Sequence, residues 1–255
     1  MRPSPHGSFL RTTARPPHAA PGQAIGLLGG SFNPPHAAHR LISEIALRRL
    51  GLAKVWWVVS PGNPLKRRAD TAPLAQRLVQ CREIARNPHI IVTDFEADLD
   101  APYTAATLAY LKARTPLVRY IWIMGADNLA QFERWRRWRE IFTMVPIVVV
   151  DRPGWRLKAL ASRAARAFAG SRVPEEDARA LVHRPPPAWT FLTGPLSSVS
   201  STALRNRAKA ESARPRPSRP VSGRAVPPAA GALAARPQAG RAPRRVRAKG
   251  PTQGP

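Results

Sequence analysis

Between residues 24 and 193 the chain alternates short, nearly continuous apolar runs with longer stretches whose apolar positions recur every three or four residues. The clearest short runs are Ala24-Ile25-Gly26-Leu27-Leu28, Val55-Trp56-Trp57-Val58-Val59 and Ile147-Val148-Val149-Val150. With weaker runs between and after them, they predict strands over 24–29, 54–60, 89–94, 118–124, 146–151 and 189–193. The spaced stretches predict helices over 36–50, 74–86, 104–114 and 156–169, a short helix near 134–142 and another over 175–182. In the first helix Leu41, Ile42, Ile45, Ala46, Leu47 and Leu50 share one face, and Gly51 supplies the stop. Strand and helix in alternation imply an α/β domain, a doubly wound parallel sheet covered on both faces. Strands as apolar as 55–59 and 147–150 belong at its centre.

The pattern stops short of both ends, which leaves one folded domain over 24–208. Residues 1–23 hold five prolines, three arginines, no acid and no apolar run, and are expected to be a disordered extension. From Asn206 onward the chain is mostly Ala, Pro, Arg, Gly and Ser, so 209–255 is expected to be a disordered basic tail. The formal charge is +26, of which 206–255 supplies +11 and residues 1–24 a further +3. Clustered arginines neutralise phosphates whatever the sequence, so the tail can touch polyanions non-specifically; an inert, solvated extension is the plainer reading. No specific nucleic acid is expected. The one cysteine, Cys81, permits no internal disulfide; residues 1–24 hold no apolar segment of about 7–15 residues and no stretch approaches about 20 apolar residues, so neither a secretory leader nor a membrane span is expected. A cytoplasmic protein without a membrane span is the expectation.

The chemistry concentrates between the first strand and the first helix, in Gly29-Gly30-Ser31-Phe32-Asn33-Pro34-Pro35-His36-Ala37-Ala38-His39-Arg40. A helix start offers unpaired N–H groups and a partial positive charge, which suits phosphate. Two glycines allow close approach to the backbone, and His36 and His39, three residues apart, add donors on one face. Neither the P-loop string nor the Gly-x-Gly-x-x-Gly fingerprint occurs. A metal held by the two histidines lacks a third ligand at a telling distance.

The same residues resemble the Gly-Gly-Thr/Ser-Phe-Asp/Asn-Pro-x-His-x-Gly-His signature of the nucleotidyltransferase superfamily. Ala38 stands where that family usually has glycine, a change that favours the helix. About 165 residues later, Val199-Ser200-Ser201-Thr202-Ala203-Leu204-Arg205 is similar to the superfamily's second signature, Ile-Ser-Ser-Thr-x-x-Arg. Between them, Ser60-Pro61-Gly62-Asn63-Pro64-Leu65-Lys66, Tyr103-Thr104, Gly125-Ala126-Asp127-Asn128, Phe132-x-x-Trp135 and Asp151-Arg152-Pro153-Gly154 look like the bacterial nicotinate-nucleotide adenylyltransferases. The likeness covers roughly 24–205 and implies a Rossmann-like nucleotidyltransferase fold that moves the adenylyl group of ATP onto nicotinate mononucleotide, giving deamido-NAD and pyrophosphate.

The resemblance also distributes roles. His36 and His39 go to the ATP phosphates, with His39 the transition-state stabiliser; Gly29, Gly30, Ser31, Phe32, Asn33, Gly125, Asp127, Ser201, Thr202 and Arg205 complete the nucleotide half. Asn63, Lys66, Thr104, Trp135 and Arg152 fall to the nicotinate nucleotide. Several of these have ordinary alternatives: Trp135 as core, Asp127 as a helix cap, Lys66 as a surface lysine. Mg²⁺ is expected with ATP, carried by phosphate oxygens and water with no metal ligand from protein side chains. A homo-oligomer is compatible with all of this. The rival acceptors are nicotinamide mononucleotide and phosphopantetheine. A rival of another class is a basic RNA-binding protein, suggested by Arg134-Trp135-Arg136-Arg137-Trp138-Arg139.

Overall fold

Apolar runs that cannot be solvated on either side become the strands of one sheet: β1 (Ala24–Gly30), β2 (Lys54–Val59), β3 (Ile90–Thr93), β4 (Arg119–Gly125), β5 (Ile147–Val150) and β6 (Trp189–Leu192). The structure is a computed structural model that describes residues 15–62, 71–99, 103–194 and 204. All six strands run parallel, in the order β3-β2-β1-β4-β5-β6. Side chains alternate between faces, so in β2 Trp56 and Val58 enter one core while Val55, Trp57 and Val59 enter the other. In β4 Tyr120, Trp122 and Met124 go one way, and Ile121 and Ile123 the other.

Two helical layers cover the sheet. α1 (Ala37–Leu50), α2 (Leu74–Ala85) and a 3-10 turn at Ala178–His183 close one core with Ile45, Leu50, Leu78 and Leu181. α3 (Thr104–Arg114), α4 (Ala126–Leu129), α5 (Trp138–Met144), α6 (Arg156–Leu160) and α7 (Arg163–Ala167) close the other with Leu108, Leu129, Phe142, Ala159 and Ala164. Strand order reverses between β1 and β4, where connections leave toward opposite faces. In open sheets that crevice, at the carboxyl ends of the strands, is the place for a ligand.

Most elements begin and end within a few residues of the pattern's prediction, and the departures have local causes. The predicted helix 156–169 is two helices, because Ser162 turns extended and its hydroxyl takes the Ala165 N–H at 3.2 Å, starting α7 afresh. The helix predicted near 134–142 begins only at Trp138, since Arg137 before it is left-handed (φ 57°). A 3-10 turn at Phe132–Arg134 and the one-turn α4 occupy the stretch between. His36 caps α1 from an extended backbone and is not in its first turn. Upstream of β1, Gly22 donates to the Leu117 carbonyl at 2.8 Å and accepts from Arg119, so the chain is tied to the domain before residue 24. Of the predicted extensions, residues 1–14 and 209–255 lie outside the described residues.

Candidate active site

The loop from β1 to α1 is built around Phe32. Its backbone is left-handed (φ 44°), and its buried ring packs 4.7 Å from the His39 ring and stacks 5.1 Å from Trp57. Trp57 Nε1 donates to Ser43 Oγ at 2.8 Å, and that hydroxyl donates to the His39 carbonyl at 2.8 Å. One strand, one loop and one helix thus fix the first turn of α1.

His36 and His39 stack with ring centroids 3.8 Å apart. The His36 N–H donates to His39 Nδ1 at 3.2 Å, so a neutral His39 carries its proton on Nε2, as a donor. Burial, then the charge of Arg152, lowers His36 to about 4. Burial, with His36 and Arg152 behind it, holds His39 well below the usual histidine range. Both rings are neutral at pH 7. His36 Nδ1 is buried without a hydrogen-bond partner among the described residues.

Across the crevice the ends of β4 and β5 supply an ion pair. Arg152 Nη1 donates to Asp127 Oδ2 at 2.5 Å, while Asp127 Oδ1 is buried without a hydrogen-bond partner among the described residues. Asp127 does not cap α4; Gly125 does, and a Cβ on Gly125 would sit 2.5 Å from Asp127 Oδ1. Asp127 and Arg152, which the sequence suggested for different substrates, therefore meet in one pair, and the charge of Arg152 reaches both histidines. Asp151 is buried and bound by Arg156, whereas the Arg152 side chain turns to Asp127.

The glycines have different reasons. A Cβ on Gly29 would overlap the Trp122 ring, so glycine there serves the packing of β1 on β4; at Gly30 a Cβ would meet only Phe32 at 3.6 Å. Ser31 gives its carbonyl to Arg77 at 2.6 Å, and Asn33 Oδ1 accepts the Ala72 N–H at 3.2 Å. Thr104 is the first residue of α3, after Tyr103 as its cap, so its N–H is one of the donors a helix leaves unpaired. Trp135 is half-buried, 4.9 Å from Phe132 and edge-on to Trp122 at 6.1 Å. Asn63, Lys66, Ser201, Thr202 and Arg205 lie outside the described residues.

Composition had suggested an arginine–tryptophan surface over 134–139. Trp138 is instead buried, edge-on to Phe168 at 6.1 Å, and Arg137 is paired with Glu140. The Trp138 ring is packed on the core and covered by Arg139, so it offers no open stacking face to a polynucleotide. Sequence reasoning missed Ser43, Trp57, Trp122 and Arg77, and also Glu96, whose buried carboxyl accepts the Thr107 hydroxyl at 2.5 Å under α3 and is raised by burial. Among the described residues no group of three His, Cys, Asp or Glu is placed to hold a metal, and no helix is long and apolar enough to cross a membrane.

Residues 27–207 match the family model described as cytidylyltransferase-like. A "Probable nicotinate-nucleotide adenylyltransferase" of Mesorhizobium japonicum is 56% identical over 193 residues, covering 76% of this chain and 99% of the relative. Its namesake in Agrobacterium fabrum is 56% identical over 72% of this chain and 99% of its own, and that of Methylorubrum extorquens 55% over the same shares. Among solved structures, the Plasmodium falciparum nicotinic acid mononucleotide adenylyltransferase complexed with NaAD shares the fold, with a TM-score of 0.56 at 15% identity over 72% of this chain and 83% of that one.

Proposed function

The chain belongs to the cytidylyltransferase-like family, and within it to the nicotinate-nucleotide adenylyltransferases, and on that footing we propose that it transfers the adenylyl group of ATP to nicotinate mononucleotide, giving deamido-NAD and pyrophosphate. The observation that carries the reading is the stacked, neutral histidine pair at the start of α1, facing the Asp127–Arg152 pair at the point where strand order reverses.

The reaction is an in-line displacement. A phosphate oxygen of the mononucleotide bonds to the α-phosphorus of ATP while the α–β bridging bond breaks and its electron pair leaves with pyrophosphate. No side chain needs to become a nucleophile; the work is positioning and stabilising charge on phosphate oxygens. His39 offers Nε2–H as a neutral donor, preset by its Nδ1 bond to the backbone of His36. His36 and Arg152 stand beside it. Asp127, one of whose oxygens has no partner among the described residues, is suited to ribose hydroxyls. Mg²⁺ bound with the nucleotide would be carried by phosphate oxygens and water and would offset the charge of the polyphosphate. Ser201, Thr202 and Arg205 complete the ATP side in this reading, and Asn63 and Lys66 the acceptor side, on the strength of the sequence signatures. The one cysteine, Cys81, takes no part in this chemistry: its thiol is buried and pushed up to about 12 by burial. A cytoplasmic enzyme remains the reading, as a single cysteine fits a reducing compartment.

For the pyridine ring, Trp135 supplies a flat face and the start of α3 supplies donors at Thr104. A carboxylate accepts from such donors, whereas a carboxamide brings N–H groups that meet them. Pyrophosphate release at matched ATP should favour nicotinate over nicotinamide mononucleotide by at least about 10²-fold in kcat/KM. Equal rates on both would make this a dual-substrate enzyme, and no release with either would end the reading.

A further inference from the structure

Arg77 stands in the apolar stripe of α2, between Leu74 and Leu78 and one turn before Cys81, and only 1% of it is exposed. A buried guanidinium is expected to face a carboxylate. This one spends its N–H groups on four backbone carbonyls instead. Nε donates to Ala72 at 2.8 Å, Nη1 to Ser31 at 2.6 Å and to Ser60 at 2.8 Å, and Nη2 to Pro61 at 3.2 Å. Burial lowers its basicity, yet it remains a cation at pH 7.

The four carbonyls come from three separate pieces of chain. Ser31 begins the loop that leads to His36. Ser60 and Pro61 leave the end of β2, and Ala72 is the approach to α2. Two further bonds run parallel to these: the Ser60 N–H donates to the Gly30 carbonyl at 2.9 Å, and the Ala72 N–H to Asn33 Oδ1 at 3.2 Å. The loop after β1 and the loop after β2 are therefore held to each other through one planar fork. A methionine or leucine would fill this helix position with less desolvation and would fix neither loop. A lysine, a point charge on a flexible stem, could reach one or two of the carbonyls but not orient all four.

We propose that Arg77 is a positioning residue for adenylyl transfer, one that sets the loop bearing the histidines in register with the loop after β2, so that the nucleotide and acceptor halves of the site meet at the distance in-line attack requires. The inference rests on the reaction proposed above. It does not require Arg77 to touch either substrate.

The test compares full-length wild type with Arg77→Lys and Arg77→Ala by kcat and KM for each substrate, by thermal melting, and by amide hydrogen exchange in peptides spanning 29–36 and 71–77. Arg77→Lys should melt within a few degrees of wild type yet lose about 10²-fold in kcat/KM, with kcat and acceptor KM both affected, as misplacement by about 1 Å does. Exchange should quicken in both peptides. Millimolar methylguanidinium should restore part of the Arg77→Ala activity and leave wild type unchanged. Wild-type kinetic constants in Arg77→Lys, or activity that falls only with the folded fraction while KM stays constant, would overturn the proposal. If Arg77→Ala does not fold, Arg77→Lys decides alone. Should wild type release no pyrophosphate, the reaction falls, but exchange still judges the loops: unchanged protection in Arg77→Lys rejects the register role and faster exchange upholds it.

Discussion

Two imidazoles whose centroids lie 3.8 Å apart cannot both be charged without strong repulsion, and the site resolves this by keeping both neutral. Neutral histidines next to Arg152 add no charge of their own to the crevice and act as directional donors. If His39 Nε2–H meets charge that develops on the transferring phosphoryl group, His39→Ala should lower kcat by about 10²–10³ with an unchanged circular dichroism spectrum. Retention of more than half the turnover would remove His39 from the chemistry. The same burial sets a pH dependence of stability. The folded pKa of His36 is about 4 against 6.5 as the ordinary value, so as pH falls the unfolded chain takes up the proton first. Its contribution is fully present above about pH 6.5 and is lost as pH drops toward 4, to a limit of about 3 kcal/mol. Urea titrations near pH 7 and pH 5 should show wild type losing more stability on acidification than His36→Gln. Equal losses would mean that burial of this ring is not what drives the acid sensitivity.

Among the elements, α1 shows how the site is braced and how far the sequence discloses it. Its apolar face was readable from spacing alone, and Ser43 interrupts that face four residues after His39. A polar residue on an apolar stripe signals a buried partner, but the partner, Trp57 of a neighbouring strand, emerges only with the fold. Arg77 on α2 gives the same signal, and its four carbonyls are spread over loops that no periodicity describes. The left-handed Phe32 and Arg137, and the restart at Ser162, were invisible for a related reason. Spacing of apolar residues tells which face is buried and is silent on where a backbone turns. Ser43→Ala tests the brace directly. It removes the link to His39 and leaves the fully buried Trp57 N–H without an acceptor, which should cost about 1–3 kcal/mol in urea unfolding. Ser43→Thr, which keeps the hydroxyl, should recover part of that loss. A stability unchanged by the alanine would show that the tryptophan finds another acceptor.

At the scale of the whole chain, the alternation of strand and helix implied a doubly wound parallel sheet but not its strand order. The reversal between β1 and β4, which gathers Phe32, His36, His39, Asp127 and Arg152 into one crevice, comes from the direction in which each connection leaves the sheet. What the sequence does disclose is where its strand-and-helix patterning gives way. The cytidylyltransferase-like match ends at residue 207, close to where proline, alanine and arginine take over. Residues 209–255 carry no apolar stripe that could dock, and arginines scattered among prolines favour solvent over a core. Deleting 209–255 should therefore leave the melting temperature within about a degree or two and the kcat for adenylyl transfer nearly unchanged. The same deletion removes 11 Lys and Arg against one acid, so retention on heparin should fall, with a shallower dependence on salt. Unchanged retention would assign the polyanion affinity to the arginines of the folded domain. A melting temperature lower by several degrees would show that the tail packs on the domain through contacts its composition does not announce.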